Sequence, residues 1–309
     1  MILLTGATGF LGSNLLKKLL DDGQEVCCIK RNKSDCRRIE KVKNACVWYD
    51  LETEPAERIF QDHKIELVIH CATDYGRNEA DYFKVYQTNV FFPLKLLECA
   101  VKYGCKYFIN TDTFSVKMID YLWRDSMPLY RDTYHKSKYL FTHIAKDYLD
   151  KWDIAFINLQ LEHIYGPDDG EGKFVSYVLD NLQKCADQIE LTEGKQIRDW
   201  IYLDDVVEAY TAVVNQRQKF AKGKFHQLEV GTGVGTSLRE FVETAKKVTN
   251  STTKLLFGAK SMQHGELPCS RADNRKLTEL GWQPGYNIED GIRAILKSKN
   301  NRRSRGNDL

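Results

Sequence analysis

The chain has 309 residues, 42% hydrophobic and 28% charged, with 20 Gly and only 6 Pro, a globular composition that excludes global disorder and fibrous repeats. Lys and Arg total 45 against 43 Asp and Glu, a formal net charge of +2, too balanced for the basic footprint of a nucleic-acid binder. Apolar stretches of the size of Leu67–His70 or Asn89–Leu97 fall far short of the roughly 20 residues that span a bilayer. Met1–Leu4 runs straight into Thr5-Gly6 without a basic leader or a small-residue cleavage site, so a cytoplasmic protein with neither membrane nor nucleic-acid partners is expected.

In chain order, short apolar runs bounded by turn residues predict strands at Met1–Leu4, Glu25–Ile29, Cys46–Tyr49, Leu67–His70, Tyr107–Thr111 and Ile154–Gln160. Between them, apolar residues at three- and four-residue spacing predict helices over Ser13–Asp21, Asp81–Tyr103 and Tyr134–Asp150. The alternation is that of an α/β protein with a Rossmann-type, doubly wound parallel sheet. The two long helices offer a homodimer contact, although the same faces could simply cover their own sheet.

After Gly166-Pro167 the pattern changes to shorter mixed elements, with a helix at Phe174–Asn181 and strands near Ile189–Leu191 and at Phe225–Val230. Ser237-x-x-Glu240 reads as a capping box opening a further helix. The expected organisation is a dinucleotide-binding domain over residues 1–165 and a smaller mixed α/β, mainly substrate-binding domain over 166–296, with some segments returning to the sheet. A basic tail over 297–309 is expected to be disordered. Nine Cys are scattered without a CxxC pair or metal-ligand spacing, so reduced thiols and no metal site are expected.

Thr5-Gly6-Ala7-Thr8-Gly9-Phe10-Leu11-Gly12 lies between a predicted strand and a predicted helix. There Gly6 can turn off the strand, Gly9 lets backbone approach a pyrophosphate, and Gly12 lets the helix pack closely. The helix start then faces the anion with backbone amides and a positive dipole end. The second strand closes in Lys30-Arg31, where a carboxylate would accept from a ribose 2′-hydroxyl and a cation suits a 2′-phosphate. NADP(H) is therefore favoured as cofactor, with NAD(H) possible through Asn32 or Ser34. The later run Gly231-Thr232-Gly233-Val234-Gly235 reads as a turn.

Tyr134 and Lys138 stand four residues apart on one face of a predicted helix. A phenol with an ordinary pKa of about 10 is a poor acid-base group at neutral pH, and a nearby ammonium brings it towards the useful range.

With these motifs, the chain resembles the extended short-chain dehydrogenase/reductase family, the group of nucleotide-sugar epimerases, dehydratases and ketoreductases. Further residues carry the resemblance: Asp50-Leu51, His70-Cys71-Ala72, Thr88-Asn89-Val90, Thr113 in the loop after the fifth strand, Tyr165-Gly166-Pro167, Arg198–Val206 and Leu280–Pro284. The resemblance implies Tyr134 as acid-base, Lys138 on the nicotinamide ribose, and Thr113 on the reacting sugar oxygen. It places the cofactor on Gly6, Gly9, Phe10, Leu11, Gly12, Lys30, Arg31, Asp50, Leu51, Cys71, Ala72, Thr73 and Asn89, together with Tyr134 and Lys138. The nucleotide-sugar substrate would meet Thr113, His163, Arg198, Tyr75 and Arg77, with Arg198 on the diphosphate.

Phe114-Ser115 after Thr113 departs from the Asp-Glu of the family's dehydratases and argues against elimination of water. The segment Asp74-Tyr75-Gly76-Arg77 is similar to the bacterial reductases that make CDP-abequose or CDP-paratose from a 4-keto-3,6-dideoxy sugar. The leading expectation is NADPH-dependent reduction of a 4-keto nucleotide-sugar, CDP-linked, in bacterial surface-polysaccharide synthesis. The alternatives are a 4-epimerase holding NAD and a non-catalytic NADP-binding scaffold or sensor.

Overall fold

A computed structural model describes residues 1–76, 81–118, 129–170, 172–262 and 266–306. Contacts divide the chain into two units: Met1–Leu161 with Tyr210–Glu229, and Glu162–Ala209 with the chain from Val230 onward. The first division falls after Leu161, and Tyr210–Glu229 groups with the first unit.

The first unit is built on β1 (Ile2–Thr5), β2 (Val26–Lys30), β3 (Val47–Asp50), β4 (Leu67–His70), β5 (Tyr107–Thr113) and β6 (Ala155–Leu161). The strands lie in the order β3-β2-β1-β4-β5-β6, with Phe225–Val230 as a seventh beyond β6. All five pairings among β1 to β6 are parallel. Such strands are covered on both faces, which is why β1, β4 and β6 are buried at every position. Leu3, Val68, Phe108 and Phe156 share one core with Leu96, Leu97 and Phe141 from the helices. The order reverses between β1 and β4, and crevices at such reversals are where doubly wound sheets take their ligands.

Among the described residues, the helices that accompany these strands are α1 (Phe10–Asp21), α2 (Ala56–Asp62), α3 (Tyr82–Tyr86), α4 (Phe92–Lys102) and α5 (Leu129–Leu149). Helix α1 starts three residues earlier than its apolar spacing predicts, because Gly9, in extended backbone, serves as its N-cap. The single helix expected over Asp81–Tyr103 is interrupted by a π turn at Gln87–Phe91. Strand β5 runs two residues further than predicted, with Thr113 in register with Leu161. Thr113 therefore ends a strand instead of sitting in the loop after it, held by the β6 ladder.

In the second unit, His163–Tyr165 pairs with Trp200–Tyr202 and Gln188–Leu191 with Lys254–Phe257, both parallel. Ile197–Arg198 pairs antiparallel with Thr236–Ser237. Helices Phe174–Gln183, Leu238–Thr249 and Ile288–Gly306 supply Val178, Leu182, Phe241, Val242 and Ile292 to a core shared with Tyr165 and Trp200. The capping box forms, with Glu240 N donating to Ser237 Oγ at 3.1 Å and Ser237 N to Glu240 Oε2 at 2.9 Å. The basic end is a correction: from Lys297 to Gly306 it continues the last helix. Lys299 Nζ anchors it, donating to Asp180 Oδ1 at 2.6 Å and Gln183 Oε1 at 3.1 Å. Among the described residues no helix is long and apolar enough to cross a membrane.

Candidate active site

The glycine loop after β1 is tight where the motif requires it. Gly6 has φ +70°, and a Cβ there would lie 2.7 Å from Ala72 N, while one on Gly12 would lie 2.1 Å from Gly6 O. Any side chain at either position would force the loop apart. Gly9 caps α1 without a side-chain hydrogen bond, and the first turn carries no acidic residue. Phe10 and Leu11 thus open a helix whose amides are presented by backbone alone, a cradle suited to the pyrophosphate of a dinucleotide.

At the end of β2, Lys30 is in register with Asp50 of β3, and their charged groups stand 3.8 Å apart. Asp50 Oδ1 also accepts from Glu52 N at 3.0 Å, so this carboxylate is engaged locally beside the half-buried Leu51. Arg31 is exposed, and its backbone amide donates to Ser34 Oγ at 3.0 Å. The cations expected to choose the cofactor therefore stand together where the ribose-reading residue belongs in such sheets.

Helix α5 carries Tyr134 and Lys138. Lys138 is buried, and its Nζ donates to Thr111 O at 2.6 Å, fixing the helix to the carboxyl end of β5. Burial pulls its pKa down, and the buried Asp112 and Cys71 oppose that pull. Asp112 is raised in turn, burial again being the main cause. Its Oδ2 accepts from Asn158 Nδ2 at 2.7 Å and its Oδ1 from Thr113 N at 2.9 Å. Sequence reasoning missed Asp112, which follows the polar pair Asn110-Thr111 just past the predicted end of the strand.

Thr113 Oγ1 lies 3.0 Å from Ser115 Oγ, and Ser115 Oγ lies 2.6 Å from His135 Nδ1. His135 was not singled out from sequence, and Ser115 only as part of the departure from the dehydratase pattern; the two stand twenty residues apart. The Tyr134 ring meets His135 edge-on at 5.2 Å and lies against Tyr75 at 5.1 Å. Tyr75 arrives on the segment following β4, of which Arg77 lies outside the described residues.

The π turn sets that segment. It turns Asn89 inward, where Oδ1 accepts from Asp74 N at 2.8 Å and from Thr73 Oγ1 at 3.3 Å. Asn89 Nδ2 donates to Asp74 O at 2.8 Å and to Ser137 Oγ at 2.9 Å. One amide thus ties the Tyr75 segment to the helix bearing Tyr134, a use typical of π insertions at functional sites. Nearby, Ala72 N donates to Thr5 Oγ1 at 3.2 Å and Thr111 Oγ1 to Cys71 Sγ at 3.2 Å. Burial raises the Cys71 thiol to about 11, which keeps it protonated. The structure thus brings Gly6, Cys71, Ala72, Thr73, Asn89, Thr113, Tyr134 and Lys138 into one connected region.

In the second unit, Arg198 is buried with its charge already met. Its Nη1 donates to the carbonyls of Ile197 at 2.8 Å and Leu267 at 2.7 Å, and its Nη2 to Glu266 Oε1 at 3.0 Å. The partner is Glu266, not the sequence neighbours Asp199 or Asp204. His163 sits in a strand with its ring 5.5 Å from Trp200, and burial lowers its pKa. The second glycine run is a turn around buried Asp199, whose carboxylate accepts from Thr232 N and Gly233 N, each at 2.8 Å, and from Thr232 Oγ1 at 2.6 Å. Among the described residues, no three His, Cys, Asp or Glu side chains cluster as metal ligands.

Residues 2–231 match the NAD dependent epimerase/dehydratase family. The chain belongs to that family. It is 35% identical over 300 residues to CDP-abequose synthase of Salmonella typhimurium, covering 96% of this chain and 97% of that protein. It is 36% identical to CDP-abequose synthase of Salmonella muenchen with the same coverage. Among solved structures it resembles UDP-glucose 4-epimerase of Thermotoga maritima with UDP-glucose, with TM-score 0.80 and 24% identity over 97% of this chain and 99% of that one. That likeness is one of fold. Membership makes the chain a nucleotide-sugar epimerase/dehydratase-family enzyme.

Proposed function

We propose that this family member reduces the 4-keto group of a CDP-linked deoxysugar with NADPH, in bacterial surface-polysaccharide synthesis. The observation that carries the reading is the linkage at the carboxyl end of β5, where Lys138 Nζ donates to Thr111 O and Thr113 joins through Ser115 to His135 beside Tyr134, on the first unit that also bears the glycine loop. The full-length similarity to the two CDP-abequose synthases supports the CDP-linked substrate, and Lys30-Arg31 at the end of β2 supports the phosphorylated cofactor. A reductase consumes its cofactor each turnover and must exchange it, which suits NADPH.

Gly6, Gly9, Phe10, Leu11 and Gly12 would hold the pyrophosphate, Lys30 and Arg31 the 2′-phosphate, and Asp50 and Leu51 the adenine. Cys71, Ala72, Thr73 and Asn89 would line the remaining path. Bound NADPH would supply the hydride. Tyr134 would give its proton to the reacting oxygen while Thr113 hydrogen-bonds that oxygen, and buried Lys138 would favour the ionised phenol. Tyr75 and Arg77 would meet the sugar, and Arg198 and His163 the rest of the substrate. Reaching a diphosphate would require Arg198 to exchange Glu266 for it, a bidentate contact that guanidinium groups favour. Exposed Phe91 on the π turn before α4, and Leu140 and Tyr148 on α5, support a homodimer, which sedimentation would reveal.

The test is to incubate the protein with NADPH and a panel of 4-keto sugar nucleotides, follow loss of the reduced cofactor's absorbance, and identify the product sugar by NMR. Tyr134→Phe should abolish turnover and leave cofactor binding intact; near-normal turnover would remove Tyr134 from the mechanism. A second reading, a 4-epimerase with resident NAD, is favoured by the 25% identity to a putative UDP-glucose 4-epimerase of Methanocaldococcus jannaschii over 98% of this chain. It expects protein purified with cofactor absorbance and no consumption of added NADPH.

A further inference from the structure

We propose that His135 is the outer end of a proton relay that reaches the reacting oxygen through Ser115 and Thr113. The inference rests on the ketoreductase reading and adds a residue to it. Three side chains from three elements make a continuous chain of hydrogen bonds: Thr113 Oγ1 to Ser115 Oγ at 3.0 Å, and Ser115 Oγ to His135 Nδ1 at 2.6 Å. Thr113 ends the strand, Ser115 follows in the short helical turn Phe114–Met118, and His135 belongs to α5. Ser115 is 2% exposed and Thr113 9%, whereas His135 is only half-buried. The chain therefore runs from an enclosed end beside the proposed reacting oxygen towards a group that solvent can recharge.

Each hydroxyl both donates and accepts, so a proton entering at one end can leave at the other without any heavy atom moving. Imidazole is the side chain whose ordinary pKa lets it gain and lose a proton near neutrality. Ketone reduction takes up one hydride and one proton. When Tyr134 has protonated the new alkoxide, a phenolate remains. In the relay, His135 Nδ1 gives its proton to Ser115 Oγ, Ser115 gives its own to Thr113 Oγ1, and Thr113 gives its own to the sugar oxygen. The sugar oxygen then returns one to Tyr134, and His135 regains a proton from water. The net change is one proton from solvent into the new alcohol, while the hydride electrons come from NADPH, which leaves oxidised.

The experiment compares the parent with His135→Gln, Ser115→Ala and the double variant. Gln occupies the site and hydrogen-bonds but cannot relay a proton. Each single variant should lower kcat about 10- to 100-fold with KM and NADPH affinity held within about twofold, the signature of a proton-transfer defect. The double variant should be no worse than either single one, because the relay is already cut. In mixtures of H2O and D2O, the parent rate should fall along a curve that reports several moving protons, and the variants should give a straight line. A readout independent of turnover is the nitrogen spectrum of histidine-labelled, cofactor-free protein, in which Ser115→Ala should shift the His135 Nδ1 resonance. Unchanged kcat in His135→Gln, or a His135 resonance indifferent to Ser115→Ala, overturns the relay alone. A parent that oxidises no NADPH with any sugar of the panel defeats the ketoreductase reading and the relay with it.

Discussion

The molecule contains two glycine-rich loops that look alike in sequence and are put to opposite uses. In Thr5–Gly12 the glycines make room, and the amides at the start of α1 receive no side-chain cap from Gly9. In Gly231–Gly235 the amides of Thr232 and Gly233 are taken up by Asp199, which also accepts from Ala272 N at 3.2 Å. A Cβ on Gly231 would lie 2.6 Å from Asp199 Oδ2, so glycine there admits a carboxylate of the chain itself. A carboxylate supplied by the fold makes the second loop structural, whereas the helix that follows the first loop has no acidic residue in its first turn.

The comparison can be broken most forcefully at Asp199. Asp199→Ala strands several buried donors and should cost about 3–5 kcal/mol in urea denaturation, with NADPH affinity unchanged; a loss of affinity instead would make the second loop a ligand site. Gly12→Ala places a methyl against Gly6 O and should weaken NADPH binding about 100-fold, close to 2.7 kcal/mol by titration calorimetry. Arg31→Ala should weaken NADPH about tenfold through a lost charge-assisted contact and leave NADH unaffected; equal loss for both cofactors would refute selection by the 2′-phosphate.

The smallest effect concerns the support beneath the first loop, where Thr5 Oγ1 and His70 Nδ1 are 2.9 Å apart. His70 is buried between Phe92, Phe108 and Phe141, and burial lowers its pKa well below 6.5. The unfolded chain therefore binds a proton that the folded chain refuses. Stability is full above about pH 6.5 and falls with acidification at no more than about 1.4 kcal/mol per pH unit until the folded group protonates. Chemical denaturation at several pH values should show that slope, and His70→Gln should flatten it.

The sheet was legible because each predicted strand is a short apolar run bounded by turn residues and each glycine motif sits at a strand end. Tyr134 and Lys138 were legible because four-residue spacing is a local property of a helix. The rest depends on contacts far apart in sequence. Ser115 meets His135, Arg198 meets Glu266 and Thr232 meets Asp199 through folding of the chain, and no local periodicity encodes those meetings. The basic end misled because its charge density resembles a solvated tail, whereas Lys299 reaches Asp180. The interruption at Gln87–Phe91 escaped notice because apolar residues continue on both sides of it.

That interruption makes one stretch of the chain unusually sensitive to length. A residue advances a regular helix by about 100°, so removing one from Gln87–Phe91 would swing the Asn89 amide out of reach of Asp74 and Ser137, while Pro93 would still deny the joined helix one backbone bond. The segment bearing Tyr75 would then lose its tether to the helix that carries Tyr134.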